Sequence, residues 1–205
     1  MSEIKQYKYN SYDEYKFEQI KANKSKLDAS WVQKKDILYL SEYIKNNNIN
    51  YNNIICHGTR QGLEQKYFRE FLKDIDLIIG TEISDTAIKF KDTICHDFHE
   101  IKEEWVNNFD ILYSNSWDHS FDPFKSLNNW IKSVKSNGIL IIEWSIQCEN
   151  VKISDPFGAS FDVYKNIFSK HQEINIIDIL NLDSEQFINN KLNPINKKFF
   201  ILKKI

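Results

Sequence analysis

Arginine is nearly missing from this chain: Arg60 and Arg69 are the only two among 27 basic side chains, and the net charge is −2. That composition excludes an arginine-based phosphate surface and gives no basic footprint for nucleic acid. Cysteine is scarce as well. Cys56, Cys95 and Cys148 are odd in number and widely spaced, which excludes a disulfide framework or a thiolate zinc site. They read as buried free thiols in a reducing compartment. No stretch approaches the ~20 apolar residues of a membrane span, and the opening M-S-E-I-K-Q-Y lacks the apolar core of an export signal. The expectation is a soluble cytoplasmic protein with no membrane partner. No internal repeat or low-complexity linker divides it.

Apolar and aromatic residues are plentiful, at 41% and 14% of 205 residues, enough for a well-buried domain. The sequence is organised around residues 53–73, N-I-I-C-H-G-T-R-Q-G-L-E-Q-K-Y-F-R-E-F-L-K. An apolar run ends at Cys56, Gly58 and Gly62 bracket a turn, and Leu63, Tyr67, Phe68 and Phe71 recur at helical spacing. A strand, a tight turn and a helix result. Such a unit aims the first amides of the helix at whatever lies over the strand's C-terminal edge. Plain strand–helix packing would use the same pattern.

Residues 1–50 form an N-terminal helical cap, with helices predicted over 12–28 and 32–46. Two readings of that cap stand: packing cover for the sheet, or a lid whose tyrosines face a ligand. From residue 51 onward, short apolar runs alternate with amphipathic stretches. Strands are predicted at 53–57, 76–82, 92–95, 109–115, 138–145, 173–181 and 197–204. Helices are predicted at 61–73, 84–89, 100–107, 122–136 and 158–170. The alternation predicts an α/β fold with a mostly parallel sheet and helices on both faces. The last two strands lack a crossover helix, since 183–189 makes at most a short one, so they predict a C-terminal antiparallel hairpin.

Polar residues gather where a doubly wound sheet puts its ligands, at the C-terminal ends of the strands. The second strand ends I-I-G-T-E-I-S, the third C-H-D-F-H-E, the fourth L-Y-S-N-S-W-D-H-S-F-D-P and the fifth I-I-E-W-S. Seven strands, the closing hairpin and H-G-T-R-Q-G after strand one resemble the class I S-adenosylmethionine-dependent methyltransferases over residues 51–205. Cys56 and His57 stand where that family carries an acid. The resemblance implies a Rossmann-like domain that binds S-adenosyl-L-methionine through His57, Gly58, Thr59 and Gly62 at the turn. It further implies Glu82 and Ile83 at the ribose, Asp97 and Phe98 at the adenine, and Ser114 and Asn115 beside them. Glu82 also reads as a solvated strand end, and Asp97 as a helix N-cap.

For the reaction, the resemblance implies His119 as general base with Asp118, and Ser116, Trp117, Glu143 and Trp144 at the acceptor. His119 serves equally as a loop cap, and Trp144 as core. Asp118, Asp122 and Glu143 have the residue types for Mg²⁺, but no spacing demands it, so no metal is assigned. The fourth-strand segment N-S-W-D differs from the N/D-P-P-Y/F of base methylation. The expected partner is therefore a small hydroxylated acceptor such as a sugar, a nucleotide-linked sugar or a glycan precursor. Two alternatives stay open. A nicotinamide-dependent oxidoreductase lacks its compact G-x-G-x-x-G here; a methyltransferase-like protein that binds cofactor without catalysis would share every motif.

Overall fold

The computed structural model describes residues 3–188 and 191–205. Seven strands make one sheet: β1 (Asn53–His57), β2 (Leu77–Glu82), β3 (Thr93–Cys95), β4 (Phe109–Ser114), β5 (Val134–Ser145), β6 (Ile174–Ile188) and β7 (Lys191–Lys204). Their spatial order is β3-β2-β1-β4-β5-β7-β6. The first five run parallel, and β7 lies antiparallel between β5 and β6. This is the mostly parallel sheet with a terminal hairpin that the alternation predicts.

The parallel strands are continuous apolar runs because both their faces are covered; every residue of β4 is buried. Side chains alternate between two cores. On one face Ile54, Cys56, Ile111 and Tyr113 meet α2 (Lys34–Asn46) and α3 (Leu63–Phe71) through Ile37, Leu40, Ile44 and Phe68. On the other, Ile55, Leu112 and Leu140 meet α4 (Pro123–Ser133) and α5 (Phe161–Lys170) through Leu127, Trp130, Tyr164 and Phe168.

The two N-terminal helices take different places. The second, α2, is pinned to the sheet by an ion pair with no exposed side-chain surface, Lys197 Nζ to Asp36 Oδ2 at 2.7 Å. The first, α1 (Tyr12–Ser25), reaches the loops after the strands and buries a mostly polar face of Tyr15, Gln19 and Asn23. The Tyr15 hydroxyl donates to the His119 carbonyl at 3.0 Å, Gln19 Nε2 to the Ser154 carbonyl at 3.2 Å, and Thr86 Oγ1 to Asn23 Oδ1 at 2.8 Å. Ahead of it, Lys5–Gln6 pairs antiparallel with Phe157–Gly158.

Several local expectations change. The helices predicted at 84–89 and 100–107 are single 3₁₀ turns, Asp85–Lys89 and Glu103–Trp105; the second gives way to Asn107 in the left-handed region (φ 52°). The segment 183–189 continues β6 as far as Ile188 instead of turning helical, and residue 189 lies outside the described residues. Ser184 donates to the buried Asp36 carboxylate, which holds that extension against α2. β5 starts four residues earlier than predicted, through a register shift against β4. Cys95, expected to be buried, is exposed at the end of the edge strand β3.

Candidate functional site

The C-terminal ends of β1 to β5 open into two adjoining spaces. A cavity of about 60 Å³ is bordered by Glu82, Ile83, Asp97 and Phe98 below and by Tyr15, Gln19 and Asn23 of α1 above. A cleft of about 400 Å³ extends over β1, β4 and β5, lined among others by Thr59, Glu64, Asn115, Asp118 and Glu143. Lys26, Gly58, Arg60, Ser116 and His119 border both.

The turn between β1 and α3 shapes the junction. Gly58 has φ +75°, and a Cβ there would stand 2.5 Å from the side chain of Ser116. Only hydrogen fits where the two loops meet. Ser116 Oγ donates back to the Gly58 carbonyl at 3.2 Å. Gly62, also left-handed at φ +68°, starts α3 and packs against Thr93 rather than the open space.

Glu82 ends β2 with its carboxylate held by two backbone amides: Ser84 N donates to Oε1 and Arg60 N to Oε2, both at 3.1 Å. Burial raises its pKa, and those two amides with the Arg60 charge oppose the rise. Asp97 accepts from His99 at Oδ1, from the amide at 3.0 Å and from ring Nδ1 at 2.8 Å, and from the Tyr12 hydroxyl at Oδ2. Burial would raise the Asp97 pKa, but the bonds from His99 and Tyr12 outweigh it and hold it at about 2. The Phe121 amide donates to His99 Nε2 at 3.0 Å, which assigns the proton to Nδ1. His99, without a role at the sequence level, thus couples the β3 loop to the β4 loop.

After β4 the chain makes a 3₁₀ turn, Trp117–His119. His119 Nδ1 lies 3.3 Å from Gln19 Oε1 and 3.6 Å from Asp155 Oδ1, and Nε2 lies 3.9 Å from Asp118 Oδ1. Donation from Nδ1 to Gln19 leaves Nε2 as the acceptor. Burial pushes Asp118 up to about 6 against the pull of His119. Asp155 is in turn paired with Lys152 at 2.6 Å. At the end of β5, Glu143 accepts from the Trp31 indole and from the Tyr113 hydroxyl at 3.1 Å, with Lys197 Nζ 3.4 Å away. Burial raises its pKa while Lys197 opposes.

Glu64, in the first turn of α3, is 4% exposed, and burial pushes it up to about 7. Asn115 Nδ2 donates to its Oε1 at 3.2 Å, and Oε2 has no hydrogen-bond partner among the described residues.

The structure therefore gathers Gly58, Thr59, Glu82, Ile83, Asp97, Phe98, Asn115, Ser116, Asp118, His119 and Glu143 around one opening. It does not bring the others there. The His57 ring is buried beneath the turn, 2.8 Å from Thr81 Oγ1 and stacked 5.2 Å from Trp130, and burial lowers its pKa to about 3. Ser114 pins the loop by donating to the His57 carbonyl and accepting from the Ser116 amide. Trp117 and Trp144, expected at the acceptor, are core residues. Trp117 stacks on Phe168 and donates to the Pro123 carbonyl at 2.9 Å, and Trp144 donates to the Ala159 carbonyl at 3.1 Å. Each indole has its apolar body and its N–H satisfied behind the loops.

Lys26, Arg60, Glu64 and Asp155 also border the opening and were not assigned site roles from the sequence. Arg60 and Glu64 stood within the glycine-turn segment, four residues apart. Lys26 lies near the end of the helix predicted over 12–28, and Asp155 in a stretch without periodic pattern. Among the described residues no group of three or more His, Cys, Asp and Glu is arranged to hold a metal ion, and no helix is long and apolar enough to cross a membrane.

The strand order, the terminal hairpin and a site on the parallel strand ends define the class I S-adenosylmethionine-dependent methyltransferase-like fold. Solved structures share it. A putative RNA methyltransferase from Pyrococcus horikoshii matches with a TM-score of 0.59 at 15% identity, over 93% of this chain and 98% of that one. An S-adenosylmethionine-dependent methyltransferase from Clostridium acetobutylicum matches with a TM-score of 0.58 at 12% identity, over 85% and 93%. The [4+2]-cyclase SpnF matches with a TM-score of 0.59 at 11% identity, over 82% and 80%. At such identities the likeness is one of fold. No protein-family model and no curated protein matches the sequence.

Proposed function

We propose that this protein is a cytoplasmic S-adenosylmethionine-dependent methyltransferase that O-methylates a small hydroxylated acceptor, such as a sugar, a nucleotide-linked sugar or a glycan precursor. The observation that carries this reading is Glu82, a buried carboxylate at the end of β2 that borders one cavity with Asp97 and Phe98, beside the glycine turn. A carboxylate there suits a ribose diol. Asp97 and Phe98 then meet the adenine, and Gly58 lets the β1 turn close on the β4 loop at Ser116, beside the cofactor. The orphaned Glu64 oxygen borders the adjoining cleft of about 400 Å³, which offers room for the rest of the cofactor and an acceptor.

When bound, the cofactor supplies an electrophilic sulfonium methyl. The protein has to align an acceptor and take its proton. His119 borders the cleft and is the candidate base, with Nε2 3.9 Å from Asp118 Oδ1 and Nδ1 3.6 Å from Asp155 Oδ1. Asn115, Ser116 and Glu143 border the space in which an acceptor hydroxyl would lie. The reading is tested by calorimetry with S-adenosylhomocysteine and NAD, together with transfer of labelled methyl from S-adenosylmethionine to a metabolite extract. Binding of S-adenosylhomocysteine but not NAD, with label in a hydroxylated metabolite, is the expected result. Binding without transfer would leave a non-catalytic cofactor binder. NAD binding alone would sink the proposal.

A further inference from the structure

A carboxyl buried with one oxygen unmatched costs free energy, and a native fold that keeps such an atom needs a reason for it. Glu64 is that case here. It borders the larger cleft, its one hydrogen bond comes from a neutral amide, and no lysine or arginine lies within ion-pair distance of it among the described residues. Four residues before it, Arg60 borders the same cleft. Arg60 Nη1 donates to the Ala29 carbonyl at 3.1 Å, and no carboxylate lies within ion-pair distance of its guanidinium among the described residues. Two opposite charges thus stand four residues apart at the entry to α3, each within the other's electrostatic influence but neither in a close ion pair among the described residues.

Their place in the sheet says what would complete them. In the functional reading above, on which this inference rests, adenine and ribose lie over β3 and β2, at Asp97 and Glu82. Passing along the strand order, the next position is the β1 turn and then β4, where Arg60, Glu64 and Asn115 are.

We propose that Glu64 and Arg60 together hold the zwitterionic amino-acid end of the cofactor, Glu64 taking its ammonium group and Arg60 its carboxylate. Charge-assisted hydrogen bonds of both signs replace contacts that the protein alone leaves unmade. The pair selects for a nucleoside carrying an amino-acid tail.

The test is calorimetry on the full chain with two ligands that share the thioadenosine part, S-adenosylhomocysteine and 5′-methylthioadenosine, which has no amino-acid tail. Glu64→Gln and Arg60→Met should each weaken S-adenosylhomocysteine binding about 10- to 100-fold and leave methylthioadenosine within about twofold of the parent. Thermal melts establish that each variant is folded, and if one is not, the other decides. Unchanged S-adenosylhomocysteine affinity in the folded variants overturns the inference. So does an equal loss for both ligands, which would make the pair structural. If the parent protein binds neither nucleoside, the cofactor reading fails and this inference falls with it.

Discussion

The Tyr12 hydroxyl, on the first helix, donates a hydrogen bond to the Asp97 carboxylate 85 residues later in the chain. With His99 on the other oxygen, Asp97 has no oxygen without a donor. The space beside it amounts to about 60 Å³, too little for a nucleoside, since ligand sites commonly span roughly 300–1,000 Å³. A nucleoside donor that reaches Asp97 Oδ2 competes with Tyr12 for that oxygen. Tyr12→Phe should therefore tighten S-adenosylhomocysteine binding about tenfold, because a charge-assisted bond no longer has to be broken. Calorimetry reads this directly, and weaker binding would mean that Tyr12 itself touches the ligand.

For His119 the expectation is a loss confined to turnover. His119→Ala should lower kcat by roughly 10²- to 10⁴-fold, the usual range for removing a positioned base. Affinity for S-adenosylhomocysteine should stay near that of the parent protein. A loss in binding instead of turnover would make His119 a cap on the β4 loop, tied to Gln19 and Asp155.

Glu64 makes a statement about stability and pH. Its folded pKa, about 7, exceeds the reference 4.5, so between those values the folded state holds a proton that the unfolded state has lost. Stability from this group is complete below about pH 4.5 and is lost as pH rises through about 7. The full difference is on the order of 3 kcal/mol. Glu64→Gln, which cannot ionise, should raise the melting temperature at pH 8 and leave it nearly unchanged at pH 4. Equal melting curves at pH 8 would show that the carboxyl is not destabilised by its surroundings.

Lys197 sits without exposed side-chain surface between Asp36 and Glu143, at 2.7 and 3.4 Å. Lys197→Met would leave two buried carboxylates facing each other with no cation. The loss should be about 3–5 kcal/mol in urea denaturation at neutral pH, as for other broken buried pairs. It should shrink in acid, where the carboxylates take up protons. A cost under about 1 kcal/mol would mean that water reaches the pair.

Much of the fold was legible because its pattern is local. The apolar runs of β1 and β4, the glycine turn and the helix-free ending each announce themselves within a dozen residues. That Glu82 and Asp97 stand at the opening was readable for the same reason, since the placement depends on position along one element. Trp117 and Trp144 misled because an aromatic at a strand end points either into the crevice or behind it. That choice is set by α5 and by the segment at Phe157, distant in sequence. Lys26, Asp155 and the Asp36–Lys197 pair were invisible because only tertiary folding brings them together. The 3₁₀ turn at Glu103–Trp105 was read as a helix from its acidic start, with no way to see that the chain turns left-handed at Asn107.

β7 follows every other strand of the sheet in the chain, yet lies between β5 and β6 rather than at an edge. Until it is made, β5 has an open side and β6 has no neighbour. Its arrival also brings Lys197 to Asp36 and Glu143, neutralising charges already committed to the interior. Between the completion of β5 at Ser145 and the arrival of β7 at Lys191 the chain carries an unpaired strand edge, the state most open to pairing with another molecule.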